Sequence, residues 1–224
     1  MNKYKYVICS DAHLGSPVCQ RDKLIKLLSS IHTENLILNG DWIDVSHTKR
    51  LNKKDWKILS VLRKMSKHTN IIYLTGNHEL GLNETLSELL GFTAAKHYEF
   101  EINNKKFYVI HGDVFDSVIS EFWLLTEIAT GIYYWIQRLG GEKQVIARII
   151  KKKSKNFIKC CERMKVRAEN FARHNGFDYI LVGHSHMPFL SKDSPYVNSG
   201  CFTEVECSYL TVDFNGNIDL KIID

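Results

Sequence analysis

Apolar residues gather in short unbroken runs, and five of these runs stop at a cluster of acids, amides or histidines. The runs are Val7-Ile8-Cys9, Leu36-Ile37-Leu38, Ile71-Ile72-Tyr73-Leu74, Phe107-Tyr108-Val109-Ile110 and Tyr179-Ile180-Leu181-Val182. Runs of this length, rich in β-branched and aromatic residues, read as buried strands. Strands near 6–10, 35–39 and 70–74 alternate with helices near 21–31, 53–66 and 84–90. That rhythm predicts parallel strands joined by right-handed crossovers, an α/β fold. A hairpin follows, 99–102 with 106–110, joined at Asn103-Asn104-Lys105.

From 117 to about 175 the pattern turns helical. Val118, Phe122, Leu125, Ile128, Ile132, Tyr133 and Ile136 recur at three- and four-residue spacings, and Gly140-Gly141 interrupts them. A basic helical stretch then runs from about 142 to 174, and Gly176 closes it. Neither helix is needed for the strand alternation, so 117–175 reads as a helical cap inserted into a core formed by 1–116 and 176–224. Glu121 and Glu127 interrupt the first helix too soon for a bilayer span, which takes about 20 apolar residues. Four further strands are expected near 196–198, 202–208, 209–213 and 218–222, antiparallel, with a tight turn at Asn215-Gly216.

The polar clusters are Asp11-Ala12-His13, Gly40-Asp41, Gly76-Asn77-His78-Glu79, His111-Gly112-Asp113 and Gly183-His184-Ser185-His186. In an open α/β sheet the carboxyl ends of the strands line one crevice. One rim then receives two aspartates, an asparagine and five histidines, an inventory suited to a two-metal hydrolytic site. Residues two apart in extended backbone point the same way, so Asp11 with His13, and His184 with His186, should each reach one spot. Asp41 is the candidate bridge between two cations. The mixed donor set suits Mn²⁺, with Fe or Zn²⁺ as the other candidates, better than Ca²⁺. Taken singly, each Asp could be a turn former or cap and each His a core residue. Five clusters at five strand ends argue for the joint reading.

Composition changes this picture in two places. The formal charge of +5 is unevenly spread: 138–173 carries 12 Lys or Arg against 3 acids, so the rest of the chain is net negative. An anionic partner would be felt at that segment. The six cysteines include no Cys-x-x-Cys pair, which argues against a structural zinc site. No apolar leader segment precedes the first strand, so a cytoplasmic protein with reduced thiols is expected.

In order and residue type, the five clusters resemble the calcineurin-like metallophosphoesterase superfamily. The resemblance implies a four-layer α/β/β/α metallophosphoesterase sandwich with an inserted helical cap. It implies that Asp11, His13, Asp41 and His186 hold one metal and that Asp41, Asn77, His111 and His184 hold the other. His78 would be the catalytic histidine outside the ligand set. Ser10-Asp11-Ala12-His13-Leu14-Gly15, Gly40-Asp41-Trp42-Ile43-Asp44, His111-Gly112-Asp113-x-Phe115-Asp116, Gly183-His184-Ser185-His186-x-Pro188 and Tyr196-x-Asn198-x-Gly200 look most like the UDP-2,3-diacylglucosamine diphosphatases of lipid A biosynthesis. The third block departs, with Gly76-Asn77-His78-Glu79 where that group carries Gly-Asn-Arg-Asp.

That resemblance implies hydrolysis of a phosphoric anhydride to UMP and 2,3-diacylglucosamine 1-phosphate, with two divalent ions as cofactor and a nucleotide-activated lipid as partner. Arg50, Asp116, Phe122, Lys155, Arg163 and Asn198 are the candidate substrate contacts. Asp44, Asp113 and Gly200 are candidates for support around the ligands, and Asp113 and Asp116 could equally cap the helix that follows. The first cap helix is apolar on nearly every side and has to be covered. Acyl chains or the cytoplasmic face of the inner membrane would do so, and so would its basic neighbour and the body. A nuclease or nucleotide phosphodiesterase is the alternative on the same core. The aliphatic share of the insert argues against a nucleic-acid partner. A non-catalytic scaffold should lack several ligands, and none is missing.

Overall fold

The computed structural model describes residues 3–44, 51–79, 88, 91–116 and 155–223, with the side chains of 79, 155 and 156 left out. Strands β1 (Tyr4–Cys9), β2 (Thr33–Asn39) and β3 (Asn70–Leu74) run parallel, as the alternation requires. Helices α1 (Arg21–Ser30) and α2 (Lys53–Met65) make the crossovers. β4 (Thr93–Ala95) adds a short parallel edge strand with no counterpart in the sequence reading. β9 (Cys207–Val212) and β10 (Ile218–Ile223) complete a six-stranded sheet on the other side of β1, antiparallel. A second sheet of four strands has the order β5 (His97–Ile102), β6 (Lys105–Ile110), β7 (Tyr179–Val182), β8 (Tyr196–Asn198).

The apolar runs are continuous because both faces of these strands are covered, the signature of doubly buried sheets. Val7 and Cys9 of β1, Leu36 and Leu38 of β2, and Ile71 and Tyr73 of β3 pack under α1 and α2 with Leu24, Leu27, Ile58 and Leu62. The alternate positions Tyr6, Ile8, Ile37, Ile72 and Leu74 face the second sheet and meet Phe107, Val109, Leu181 and Val197. The far face of that sheet, Tyr108, Ile180, Val182 and Tyr196, is closed by helix α3 (Lys155–Asn175) through Met164, Ala168 and Ala172. Helix, sheet, sheet and helix make the four expected layers.

Local chemistry explains the element ends. Asn52 caps α2 in a capping box with Asp55, and the fully buried Asp55 carboxylate pairs with Arg21 of α1 at 2.6 Å. That pair fixes the two helices to each other. Asn103 and Asn104 take left-handed backbone in the hairpin turn, as their type favours.

Three expectations differ from the structure. No strand covers 202–206: Phe202 is buried under the helices of the first layer, and one strand, β9, replaces the two expected over 202–213. β8 pairs parallel with β7, because the segment between them crosses over instead of turning back. The segment 155–175, grouped with the cap, is the outer layer of the second sheet, since Ala168 and Ala172 let the helix lie close against it. The rest of the expected cap, 117–154, lies outside the described residues, as do Arg50 and all of 84–90 but Glu88.

Candidate metal centre

All five clusters meet beyond the carboxyl ends of β1, β2, β3, β6 and β7, at one end of the two face-packed sheets. Backbone hydrogen bonds continue the ladders past the strands: Asp11 N–H to Gly40 O at 3.1 Å, His13 N–H to Asp41 O at 2.9 Å, and Gly183 N–H to His111 O at 2.9 Å. The amide of Asn39 reaches the Ile110 carbonyl at 3.1 Å and ties the first sheet to the second.

Asp11, His13, Asp41, His184 and His186 all have positive φ, between 47° and 60°. The only other described non-glycine residues in that region are the two hairpin asparagines. The extended-backbone reading of the two Asp-x-His and His-x-His pairs is therefore wrong. Left-handed backbone turns these side chains inward: Asp11 and His13 meet in one group of ligand-type atoms, whereas His184 and His186 part, His186 joining Asp11 and His13 and His184 joining Asp41 and His111. Such conformations cost about 1–3 kcal/mol each and persist where surrounding structure holds them.

Among the described residues, three groups have ligand-type atoms all within 4.8 Å of one another: Asp11, His13 and His186; Asp41, His111 and His184; and His13, Asp44 and His78. Asp41 links them. Its Oδ2 lies 3.3 Å from His111 Nε2, 3.7 Å from His13 Nε2 and 3.9 Å from His78 Nε2. Its Oδ1 accepts the His78 backbone N–H at 3.0 Å, which fixes the carboxylate's rotation. Asp11 mirrors this on the other side: Oδ1 is 3.0 Å from His186 Nε2, and Oδ2 accepts the His184 backbone N–H at 3.0 Å.

Electrostatics draws positive charge to this spot. Burial alone would raise the Asp11 carboxyl, but the adjacent His186 and His111 outweigh it and bring it to about 2. Asp41 is likewise held well below the usual carboxylate range, burial again being overcome by His111 and His13. In return His111 rises to about 10, because the Asp41 carboxylate overcomes burial. His186 also rises to about 10, where Cys201 and Asp11 overcome burial. His13 falls to about 4 because its burial outweighs the pull of Asp41, so it stays neutral with a lone pair to offer.

The donor set fits divalent cations. His13 Nδ1 and Asn77 Oδ1 are buried without a hydrogen-bond partner among the described residues, while Asp11 Oδ1 and His111 Nε2 are met by His186 Nε2 and Asp41 Oδ2. An orphaned buried polar atom costs about 1–3 kcal/mol, so two beside this cluster of carboxylates and imidazoles call for something to bind them. The histidines are oriented as ligands usually are, by the nitrogen that faces away. His111 Nδ1 donates to Asn39 O at 3.0 Å, His186 Nδ1 meets Thr203 Oγ1 at 3.1 Å, and His184 Nε2 donates to Asp116 Oδ2 at 3.2 Å.

Gly76 is needed for closeness: a Cβ there would fall on Asp41, on its Oδ1 and within 2.6 Å of its backbone nitrogen. We expect Gly76→Ala to displace the Asp41 carboxylate and cut bound metal to well under one ion per chain after dialysis, with the fold retained by circular dichroism.

The candidate substrate contacts divide. Asp116 touches His184. Asn198 is fully buried beneath the His184 loop; its amide donates to Gly183 O at 2.7 Å, and its Oδ1 accepts Gly200 N–H at 2.8 Å. It braces two glycine turns and is closed to substrate. Arg163 is exposed on α3, with Nε donating to Lys159 O at 3.4 Å. Arg50, Phe122 and the Lys155 side chain lie outside the described residues. Asn39 and Thr203 escaped the sequence reading. Asn39 directly precedes Gly40-Asp41 and could have been suspected; Thr203 carries no local signal.

No curated protein sequence matches this chain. Among solved structures it is similar to a novel archaeal phosphodiesterase, at 16% identity over 97% of this chain and 99% of that one, TM-score 0.49. It is also similar to the phosphoesterase YfcE of E. coli, at 16% identity over 98% and 99%, TM-score 0.48. Vps29 of Entamoeba histolytica in complex with zinc matches at 12% identity over 98% of each chain, TM-score 0.43. The family of calcineurin-like phosphoesterases matches residues 4–188, which take in every cluster described above, and the chain belongs to that family.

Proposed function

We propose that the chain is a two-metal phosphohydrolase acting on the anhydride of a nucleotide-activated lipid. UDP-2,3-diacylglucosamine plus water would give UMP and 2,3-diacylglucosamine 1-phosphate. The observation that carries the two-metal part is the position of Asp41, one carboxylate within 4 Å of histidines from two neighbouring ligand groups. The lipid part is supported by the motif resemblance, by the apolar run over 122–136 and by the basic run that follows it.

Asp11, His13, Asp41 and His186 would hold one cation, and Asp41, Asn77, His111 and His184 the other. Two divalent ions, Mn²⁺ first among the candidates, would lower the pKa of a water between them and supply hydroxide near neutral pH. The protein's part is to fix geometry and to meet developing charge. Asp41 is locked through the His78 backbone N–H. The His78 side chain is 28% exposed, the most open of the site's imidazoles whose exposure bears on the reaction, and stands at the solvent side of Asp41. From there it can donate to a phosphoryl oxygen or to the departing oxygen. Asp44, buried and grouped with His78 and His13, is placed to orient that ring.

No helix among the described residues is long and apolar enough to cross a membrane. Contact with an anionic membrane surface would instead come from the segment 117–154 and the basic outer face of α3. The test is product analysis. Pure protein with Mn²⁺ and UDP-2,3-diacylglucosamine should release UMP and the lipid 1-phosphate, read by mass spectrometry. Absence of UMP, together with cleavage of DNA or RNA that weakens steeply with salt, would overturn the lipid reading in favour of a nuclease.

A further inference from the structure

We propose that Asp116 is a positioning residue that holds His184 from outside the cation groups and ties this ligand to helix α3 through the thiol of Cys160. The inference rests on reading Asp41, His111 and His184 as a cation group, and on nothing about the substrate.

Asp116 follows the short helical turn Asp113–Phe115, directly after the His111 block. Its N–H is bonded to Asp113 O at 3.0 Å, so its backbone is set by the turn. Its carboxylate is nearly buried and faces two ways. Oδ2 lies 3.2 Å from His184 Nε2, and Oδ1 accepts the Cys160 Sγ–H at 3.3 Å. A proton on His184 Nε2, donated to Asp116, leaves the lone pair on Nδ1 for a cation. The other two outward-facing nitrogens meet a neutral carbonyl and a neutral hydroxyl. Of these three imidazoles, His184 is the one whose outward nitrogen meets a carboxylate, which fixes its tautomer and the direction of its ring.

The second half of the relay reaches the outer layer. Cys160 sits in the second turn of α3, and burial followed by the Asp116 charge pushes its thiol up to about 12. It stays protonated and remains a donor. Arg167 supports the same junction by donating from Nη1 to the Phe115 carbonyl at 3.5 Å, and Phe115 packs beside Met164. Helix α3 is therefore fastened to the segment that orients His184. Binding of a cation to the second group and docking of the start of α3 should favour each other, because coupling between sites is reciprocal.

The experiment is titration of the metal-stripped full chain with Mn²⁺ alone, counting free ion by electron paramagnetic resonance. Wild type should bind two. Asp116→Asn should weaken one of the two by about 10–100-fold and leave the other unchanged. Cys160→Ala should weaken the same one by less, and the double variant should match Asp116→Asn. Hydrogen exchange gives a second readout: Mn²⁺ should slow exchange over 157–164 in wild type and not in Asp116→Asn. Two wild-type affinities in Asp116→Asn would overturn the proposal. So would equal weakening of both ions with a lowered melting temperature, which would mark a merely structural role. Fewer than two ions in wild type would instead strike the two-cation reading beneath it.

Discussion

Asp41→Ala should leave the folded chain without bound metal and bring hydrolysis down to the uncatalysed background. Asp41 is buried, and its Oδ2 lies within 4 Å of Nε2 of His111, His13 and His78. Without it, the Asp11 group keeps one carboxylate, and the other keeps only imidazoles and the Asn77 amide. Neither retains the shared oxygen that holds two cations about 3.5–4 Å apart. Asp41→Asn is the sharper variant, because it preserves shape and removes charge; it should still bind fewer than two ions. Metal per chain after dialysis against Mn²⁺, read by elemental mass spectrometry, and Mn²⁺-dependent turnover of bis(p-nitrophenyl) phosphate check both. A circular dichroism melt establishes that the variants are folded. Two ions per chain in Asp41→Ala would remove Asp41 from the role of bridge.

His78→Ala should do the reverse: both ions stay and turnover falls by about 10²–10³, the usual effect of losing one donor to a developing oxyanion. The ring stands at the solvent side of Asp41, whereas the backbone N–H that braces Asp41 belongs to the main chain and survives the substitution. The loss should therefore appear in kcat with KM little changed, since the contact is made chiefly in the transition state. His78→Gln, which keeps a donor, should recover part of the rate. An empty site in His78→Ala would make His78 a ligand and overturn the division of labour between the two residues.

The strands that carry the site were legible because both their faces are buried. Leu36-Ile37-Leu38 has no polar face to hide, and Asp41 follows it by a fixed short step. β4 escaped notice because Thr93-Ala94-Ala95 is a short edge with little apolar mass. The sheet-facing side of α3 is hard to see in the sequence because its buried seam is Met164, Ala168 and Ala172, and alanines leave a faint trace against so many lysines and arginines. That the five clusters come together was legible from residue type and place in the chain. The site's geometry was not: the left-handed backbone at Asp11, His13, Asp41, His184 and His186 falls on residues other than glycine, so no residue type announces it. The partners behind the ligands, Asn39, Thr203 and Cys160, come from distant segments and share no spacing with the histidines they serve.

The position of the cations decides whether Asp41 bridges two of them. A crystal of the Mn²⁺-loaded protein, measured at the manganese absorption edge, reports this directly. Two anomalous peaks about 3.5–4 Å apart are expected, one among Asp11, His13, Asp41 and His186 and the other among Asp41, Asn77, His111 and His184. A single peak, or peaks away from Asp41, would contradict the two-cation centre.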